Sequence, residues 1–196
     1  MASVFDSIEY KESLRLMGLD LVEQIKDLRL TQTDNQIYLL IREGFDELIK
    51  QAKLFEKATC NKGCSFCCHD SIIVSKMEIE HIKKVVAEKG ITPNRERLAK
   101  QKLNNKSIKW ADKACSLLSE PDQNGKRICT IYEDRPMICR SHNSREDPKF
   151  CNKSEFPNKG IQEGRILEID ALAMSMILAD VPKGAKDYRI ALHDIL

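Results

Sequence analysis

Four cysteines fall within the stretch Cys60-Asn61-Lys62-Gly63-Cys64-Ser65-Phe66-Cys67-Cys68, and no other feature restricts the fold of this chain as much. Thiolates a few residues apart can converge on one ion or cluster without long-range help, provided the backbone bends around them. Gly63 stands where that bend is needed. Soft sulfur donors select zinc, copper(I) or iron–sulfur clusters and disfavour magnesium and calcium. Cys67 and Cys68 are not expected to be equivalent, because neighbouring side chains diverge by about 100° on a helix and point to opposite faces of a strand. One of the two completes the local set; the other reaches a second site or packs as a small hydrophobe.

Four further cysteines, Cys115, Cys129, Cys139 and Cys151, bring the total to 8 in 196 residues. A chain of that length buries a real core, so the thiols are not needed as disulfide staples. The opening residues show no basic segment leading into an apolar one, and no apolar run approaches the roughly 18 residues that span a membrane. A cytoplasmic, reducing setting with no membrane partner is therefore expected, and clustered thiols there point to metal or redox chemistry. The 32 basic and 30 acidic residues are interspersed and leave a net charge of +2, which gives no indication of nucleic-acid binding. The lysines from Lys100 to Lys109 read as a solvated helical face.

Helical periodicity dominates the flanks. Ser13 to Leu30 reads as a helix broken near Gly18, and a second helix, capped by Thr33 with Gln36, runs from Ile37 past Leu48 and delivers the chain to Cys60. Ile72-Ile73-Val74 suggests a strand or extended turn. Ser75 with Glu78 caps a helix bearing Ile79, Ile82, Val85 and Val86 on one face, ended by Gly90. Pro93 opens a more charged helix to about Leu103. Two strand-like runs, Ser116–Ser119 and Arg127–Tyr132, flank Asn124-Gly125 and predict a small β-hairpin that brings Cys115 near Cys129. Asp134 is placed to cap a short helix carrying Cys139 and Arg140, residues 141–164 read as loop, and helices are expected over 165–178 and 186–196.

Several elements in fixed order carry a resemblance. The series Cys60-x3-Cys64-x2-Cys67-Cys68, Cys115-Ser-Leu-Leu, Cys129-Thr-Ile-Tyr132-x-x-Arg135-Pro136-x-x-Cys139-Arg140, Asn143-Ser144 and Cys151 resembles the YkgJ-type cysteine-cluster family of zinc- or iron-chelating domains. The resemblance covers about residues 55–155 and implies a compact, mainly helical metal-binding domain. A similar domain occurs in the flagellin lysine methylase, where the cluster accompanies methyl transfer from S-adenosylmethionine. The spacing Cys60-x3-Cys64-x2-Cys67 is also similar to the cluster motif of radical S-adenosylmethionine enzymes. Their strand–helix barrel is not expected here, since helices occupy the positions where its alternating pattern belongs.

The expected fold is thus mainly α with a small β-hairpin, a cysteine-rich metal-binding domain (55–155) between an N-terminal helical extension (1–54) and a C-terminal helical segment (156–196) that packs on it. The expected metal ligands are drawn from all eight cysteines. A [4Fe-4S]-type cluster is placed on Cys60, Cys64 and Cys67, with a fourth contact from Cys68 or from the 115–139 region. A zinc-stabilised interaction module is the alternative, and thiol-based redox sensing a third reading. Arg135 and Arg140 are candidates for offsetting thiolate charge or holding a carboxylate or phosphate of a ligand, S-adenosylmethionine among them, with a structural salt bridge near the turn as the equal alternative. His69 and His142 are secondary ligand candidates, and Tyr132 is expected to pack in the core. Asn143-Ser144 forms either a local turn or a ligand contact. The partner is a small molecule or another protein, and whether a reaction occurs is left open.

Overall fold

The computed structural model describes residues 8–70, 72–103, 109–159 and 167–180. Its helices are α1 (Ile8–Leu28), α2 (Asp34–Gln51), α3 (Lys76–Glu88), α4 (Arg95–Leu103), α5 (Met137–Ser141) and α6 (Leu167–Leu178), linked by short 3-10 turns.

α2 and α3 start where their sequences say they should. Thr33 and Gln36 form a reciprocal capping box at α2, and Ser75 and Glu78 form another at α3, each satisfying backbone N–H groups that have no intrahelical partner. Gly90, at φ 60°, takes up the left-handed conformation that ends α3. The expected break at Gly18 does not occur: α1 runs straight through it. The glycine serves close packing instead, because Ser175 of α6 donates from Oγ to the Gly18 carbonyl at 3.1 Å and a Cβ there would stand 3.3 Å from that hydroxyl.

Two apolar cores meet along α3. The first gathers Val22 and Ile25 of α1, Ile37, Tyr38 and Phe45 of α2, Leu54, Met77 of α3, Met137 of α5, and Met176 and Ala179 at the end of α6. Residues from the N-terminal helices, the cysteine-bearing region and the C-terminal segment therefore share one interior, and each large side chain removed from water there contributes roughly 1.5–3 kcal/mol. The second core joins Ile82 and Val85 of α3 to Leu117 and Ile131, with Cys115 and Cys129 packed against it. Polar ties close the outer layer. Arg29 bonds Asp34 at 2.8 Å, the Ala179 carbonyl at 2.9 Å and the Asp180 carboxylate, pinning the α1–α2 turn to the end of α6.

The small β-hairpin expected around Asn124-Gly125 is not formed, and no strand occurs among the described residues. The two runs do lie antiparallel, but pairing shrinks to one bridge between Leu118 and Cys129, with Ser119 N–H to the Ile128 carbonyl at 2.9 Å and Thr130 N–H to the Leu117 carbonyl at 2.9 Å. The connection is too long for a tight turn and begins at Pro121, which has no N–H to give. Asp122 organises the loop with its carboxylate, accepting from Asn124 N and Lys126 N. A second correction concerns α5. Asp134 does not cap it; Pro136 stands at the N-cap with no side-chain bond, and the buried Glu78 carboxylate accepts from Met137 N–H at 2.8 Å. The helix expected over 186–196 lies outside the described residues. No described helix is long and apolar enough to cross a membrane.

Candidate metal centre

Cys60 follows the turns that close α2 and is held from across the fold. Thr59 N–H donates to the Ser144 carbonyl at 2.7 Å, and Ser144 N–H donates back to the Cys60 sulfur at 3.1 Å. Gly63 takes φ 101°, which a side chain would resist, and Cys64 N–H closes the turn on the Asn61 carbonyl at 3.0 Å. Cys67 and Cys68 follow on a 3-10 turn, Phe66–His69, and instead of pointing apart their thiols are hydrogen-bonded to each other.

The other thiols come from separate segments. Cys115 leaves a second 3-10 turn, Trp110–Lys113, and its N–H donates to the Cys68 carbonyl at 2.7 Å. Cys129 sits in the Leu118–Cys129 bridge, Cys139 on α5, and Cys151 at the end of the 3-10 turn Pro148–Cys151. Beyond it, Lys153 pairs with Asp70 at 2.7 Å, drawing this last segment onto the residue that follows the cysteine pair and His69. None of the eight cysteines is in a disulfide.

Cys67 is the common neighbour. Its charge acts on Cys64, Cys68, Cys115, Cys129, Cys139 and Cys151. A hydrogen bond from the Cys68 thiol holds Cys67 well below the usual thiol range; burial opposes this, while the charges of His142 and Arg135 favour it. Cys68 is correspondingly driven up by that bond and by burial. Burial likewise raises Cys64, Cys115 and Cys139, and lifts Cys129 and Cys151 to about 11. Cys67 is thus the thiol whose ionised form is favoured, and ligation by the thiols that are raised would release their protons.

The two arginines have different surroundings. Arg140 is fully engaged in bracing α5 against α2: its Nε and Nη2 bond Asp46 at 2.9 and 2.6 Å, and Nη1 reaches the Glu133 carbonyl at 2.7 Å. Arg135 stacks 3.7 Å over the Tyr132 ring and donates from Nε to the Tyr132 carbonyl at 2.7 Å, while its charge falls on Cys67, Cys129 and Cys139. Tyr132 is thus half-buried beneath a guanidinium, with Lys62 also 5.2 Å from its ring. His69 is buried against Trp110, ring centroids 4.5 Å apart, with Nδ1 3.3 Å from the Ser65 and Phe66 carbonyls; its burial lowers its pKa. His142 lies close enough to act on Cys67.

The donor set has the chemistry of a soft-metal site: eight unbridged thiols, an N–H aimed at one sulfur and cationic side chains beside the thiolate. As placed, no three His, Cys, Asp or Glu side chains among the described residues stand together closely enough to hold a metal ion.

Three residues were not given their full part by the sequence. Ser144 is completely buried and contacts two cysteines, through N–H on Cys60 and its hydroxyl on Cys151. Glu78 signalled only a capping box, yet it also fixes the start of the helix that bears Cys139. Trp110, the single tryptophan, stands five residues before Cys115 and covers His69; nothing local marks it for that position.

Fold and thiol arrangement together define a small helical cysteine-cluster domain. Residues 59–159, just over half of the chain, match the model of the CxxCxxCC family, described as "Putative zinc- or iron-chelating domain", and the chain belongs to that family. Three residues separate Cys60 from Cys64 here, where the family's label has two. Neither the curated proteins nor the solved structures contain a match to this chain.

Proposed function

We propose that the chain is a metal-binding protein that carries an iron–sulfur cluster of the [4Fe-4S] type on Cys60, Cys64 and Cys67. The observation that carries this reading is that the Cys67 charge reaches six other unbridged thiols, with a backbone N–H directed at the Cys60 sulfur. Hydrogen bonds to cysteine sulfur stabilise the anionic form and tune cluster potential. Membership of a zinc- or iron-chelating family supports metal binding and leaves both metals in play.

A cluster held by only three cysteines presents an iron at which S-adenosylmethionine or a carboxylate ligand binds, and Arg135 stands beside the thiols to hold such a carboxylate. A fourth thiolate closes that position, and the cluster then serves electron transfer or the fold itself. The zinc reading is favoured by one observation: Cys68, Cys115, Cys129 and Cys139 come from four separate segments, as in a structural site that ties a fold together. Visible absorption of anaerobically isolated protein tests the proposal. Broad charge-transfer bands that bleach on reduction are expected; colourless protein containing only zinc would sink it.

A further inference from the structure

Gly63 gives a cation its seat beside the thiols. The Lys126 side chain lies along it, with Cε 2.1 Å and Nζ 2.9 Å from where a Cβ would stand. The neighbouring Lys62 brings Nζ to 5.2 Å from the centre of the Tyr132 ring, and the Arg135 guanidinium covers the same ring at 3.7 Å. Three cations from three segments are thus joined through Gly63 and Tyr132 into one band, and the chain runs from that band directly into Cys64. Ile128, two residues on from Lys126, is an exposed apolar side chain.

The fold leaves these charges over. Arg29, Arg42, Arg97 and Arg140 each pair with a carboxylate, whereas among the described residues neither Lys126 nor Arg135 does. Arg135 gives its Nε to the Tyr132 carbonyl at 2.7 Å, and its two Nη groups have no protein partner among the described residues. Lys62 meets Glu133 at 3.4 Å, but both side chains are open to water, at 61 and 71% exposure, so that pair is readily exchanged for another. The same openness tells against a small anion, which is held in a concave site that buries it. A nucleic acid would stack bases on a free aromatic face, and the Tyr132 ring already carries Arg135. What fits an exposed, partly unpaired band of cations is a complementary set of carboxylates on a protein surface.

We propose that this band docks a partner protein through an acidic surface, whose carboxylates are received by Arg135, Lys62 and Lys126. A guanidinium held flat against an aromatic ring loses little freedom when it forks onto a carboxylate, so Arg135 is the anchor and the lysines supply longer-range attraction. The inference goes beyond the metal reading, since none of these side chains is a candidate ligand. Docking there sets the partner against the loop that leads into Cys64 and on to Cys67 and Cys68.

The test uses the full-length protein as isolated and a short synthetic peptide of alternating glutamate and leucine, with the glutamine–leucine peptide and oligothymidylate as comparisons. At about 0.1 M salt, where charges are felt over roughly 10 Å, the acidic peptide is expected to bind and to weaken as salt is raised further. Lys126→Glu or Lys62→Glu is expected to lower its affinity about tenfold. Both lysines are exposed, so these variants keep the fold. Lys11→Glu makes the same change of charge on α1, which packs on α6, and is expected to alter affinity by less than about twofold. Carbodiimide coupling, which joins lysine amines to the carboxylates they touch, should link the peptide to Lys62 and Lys126 ahead of the other lysines in a mass-spectrometric map. Equal binding of the glutamine peptide, equal loss with Lys11→Glu, coupling spread evenly over the lysines, or no binding of the acidic peptide overturns the proposal. Tighter binding of oligothymidylate that falls with the same variants overturns it in favour of nucleic acid. Metal content is read separately. Colourless zinc protein that binds the peptide refutes the cluster and leaves the docking surface standing; iron–sulfur protein that does not bind it does the reverse.

Discussion

Replacing Glu78 by alanine probes the joint between the two cores and the helix that carries Cys139. The Glu78 carboxylate is 4% exposed and accepts three hydrogen bonds, from Ser75 N at 2.8 Å, Ser75 Oγ at 3.0 Å and Met137 N at 2.8 Å. Alanine leaves two backbone N–H groups without acceptors, at about 1–3 kcal/mol each where they are buried. Relief from holding a carboxylate away from water offsets part of this, and a net loss of about 3 kcal/mol is expected. With a urea slope of about 2 kcal/mol per molar, the unfolding midpoint falls by roughly 1.5 M. Burial pushes the Glu78 carboxyl above its ordinary value of 4.5. For an acid raised in this way, the native state holds the proton longer than the unfolded state does. Its contribution is therefore complete below pH 4.5 and is lost as pH rises through the folded value. Glu78→Gln keeps an oxygen for Met137 N–H and cannot ionise, so its stability lacks that decline. A midpoint for Glu78→Ala within about 0.3 M of wild type, or an unchanged pH slope in Glu78→Gln, would refute the reasoning.

Asp134 gives the opposite sign. Burial works to raise its pKa, but hydrogen bonds from Lys89 (2.7 Å), Arg42 (3.0 Å) and His81 (3.4 Å) prevail and hold it at about 2. Its stabilisation is present above pH 3.8 and is lost as pH falls toward 2, so Asp134→Asn should flatten that part of an acid titration followed by circular dichroism. At Gly63 the left-handed φ of 101° and the Lys126 side chain both oppose a Cβ, whose ideal position lies 2.1 Å from Lys126 Cε. The lysine end can move and the backbone cannot, so Gly63→Ala should cost about 1–3 kcal/mol in a thermal melt, and adding Lys126→Ala should recover little of it.

How far the site was legible depended on how local its determinants are. Capping boxes are written within four residues, and both were read correctly at Thr33 and Ser75. The family emerged from ordered cysteine spacing, which also needs no tertiary information. The break at Gly18 was misread because glycine signals either weakness or close approach, and only the crossing of α6 over α1 decides which. The hairpin reduced to one bridge because Asp122 and Pro121 shape the loop more than Asn124-Gly125 does. Asp134 looked like a cap from its place before Arg135-Pro136, yet Arg42 of α2 and Lys89, just past the end of α3, claim its carboxylate. Ser144 and Cys151 are separated from Cys60 by more than 80 residues of sequence, so the ordered series groups them in one domain but only the fold shows that Ser144 touches both sulfurs.

Metal and acid-labile sulfide analysis of protein isolated without oxygen tests the central claim most directly. The account predicts iron and sulfide in equal amounts, about four of each per chain. Zinc without sulfide would contradict it.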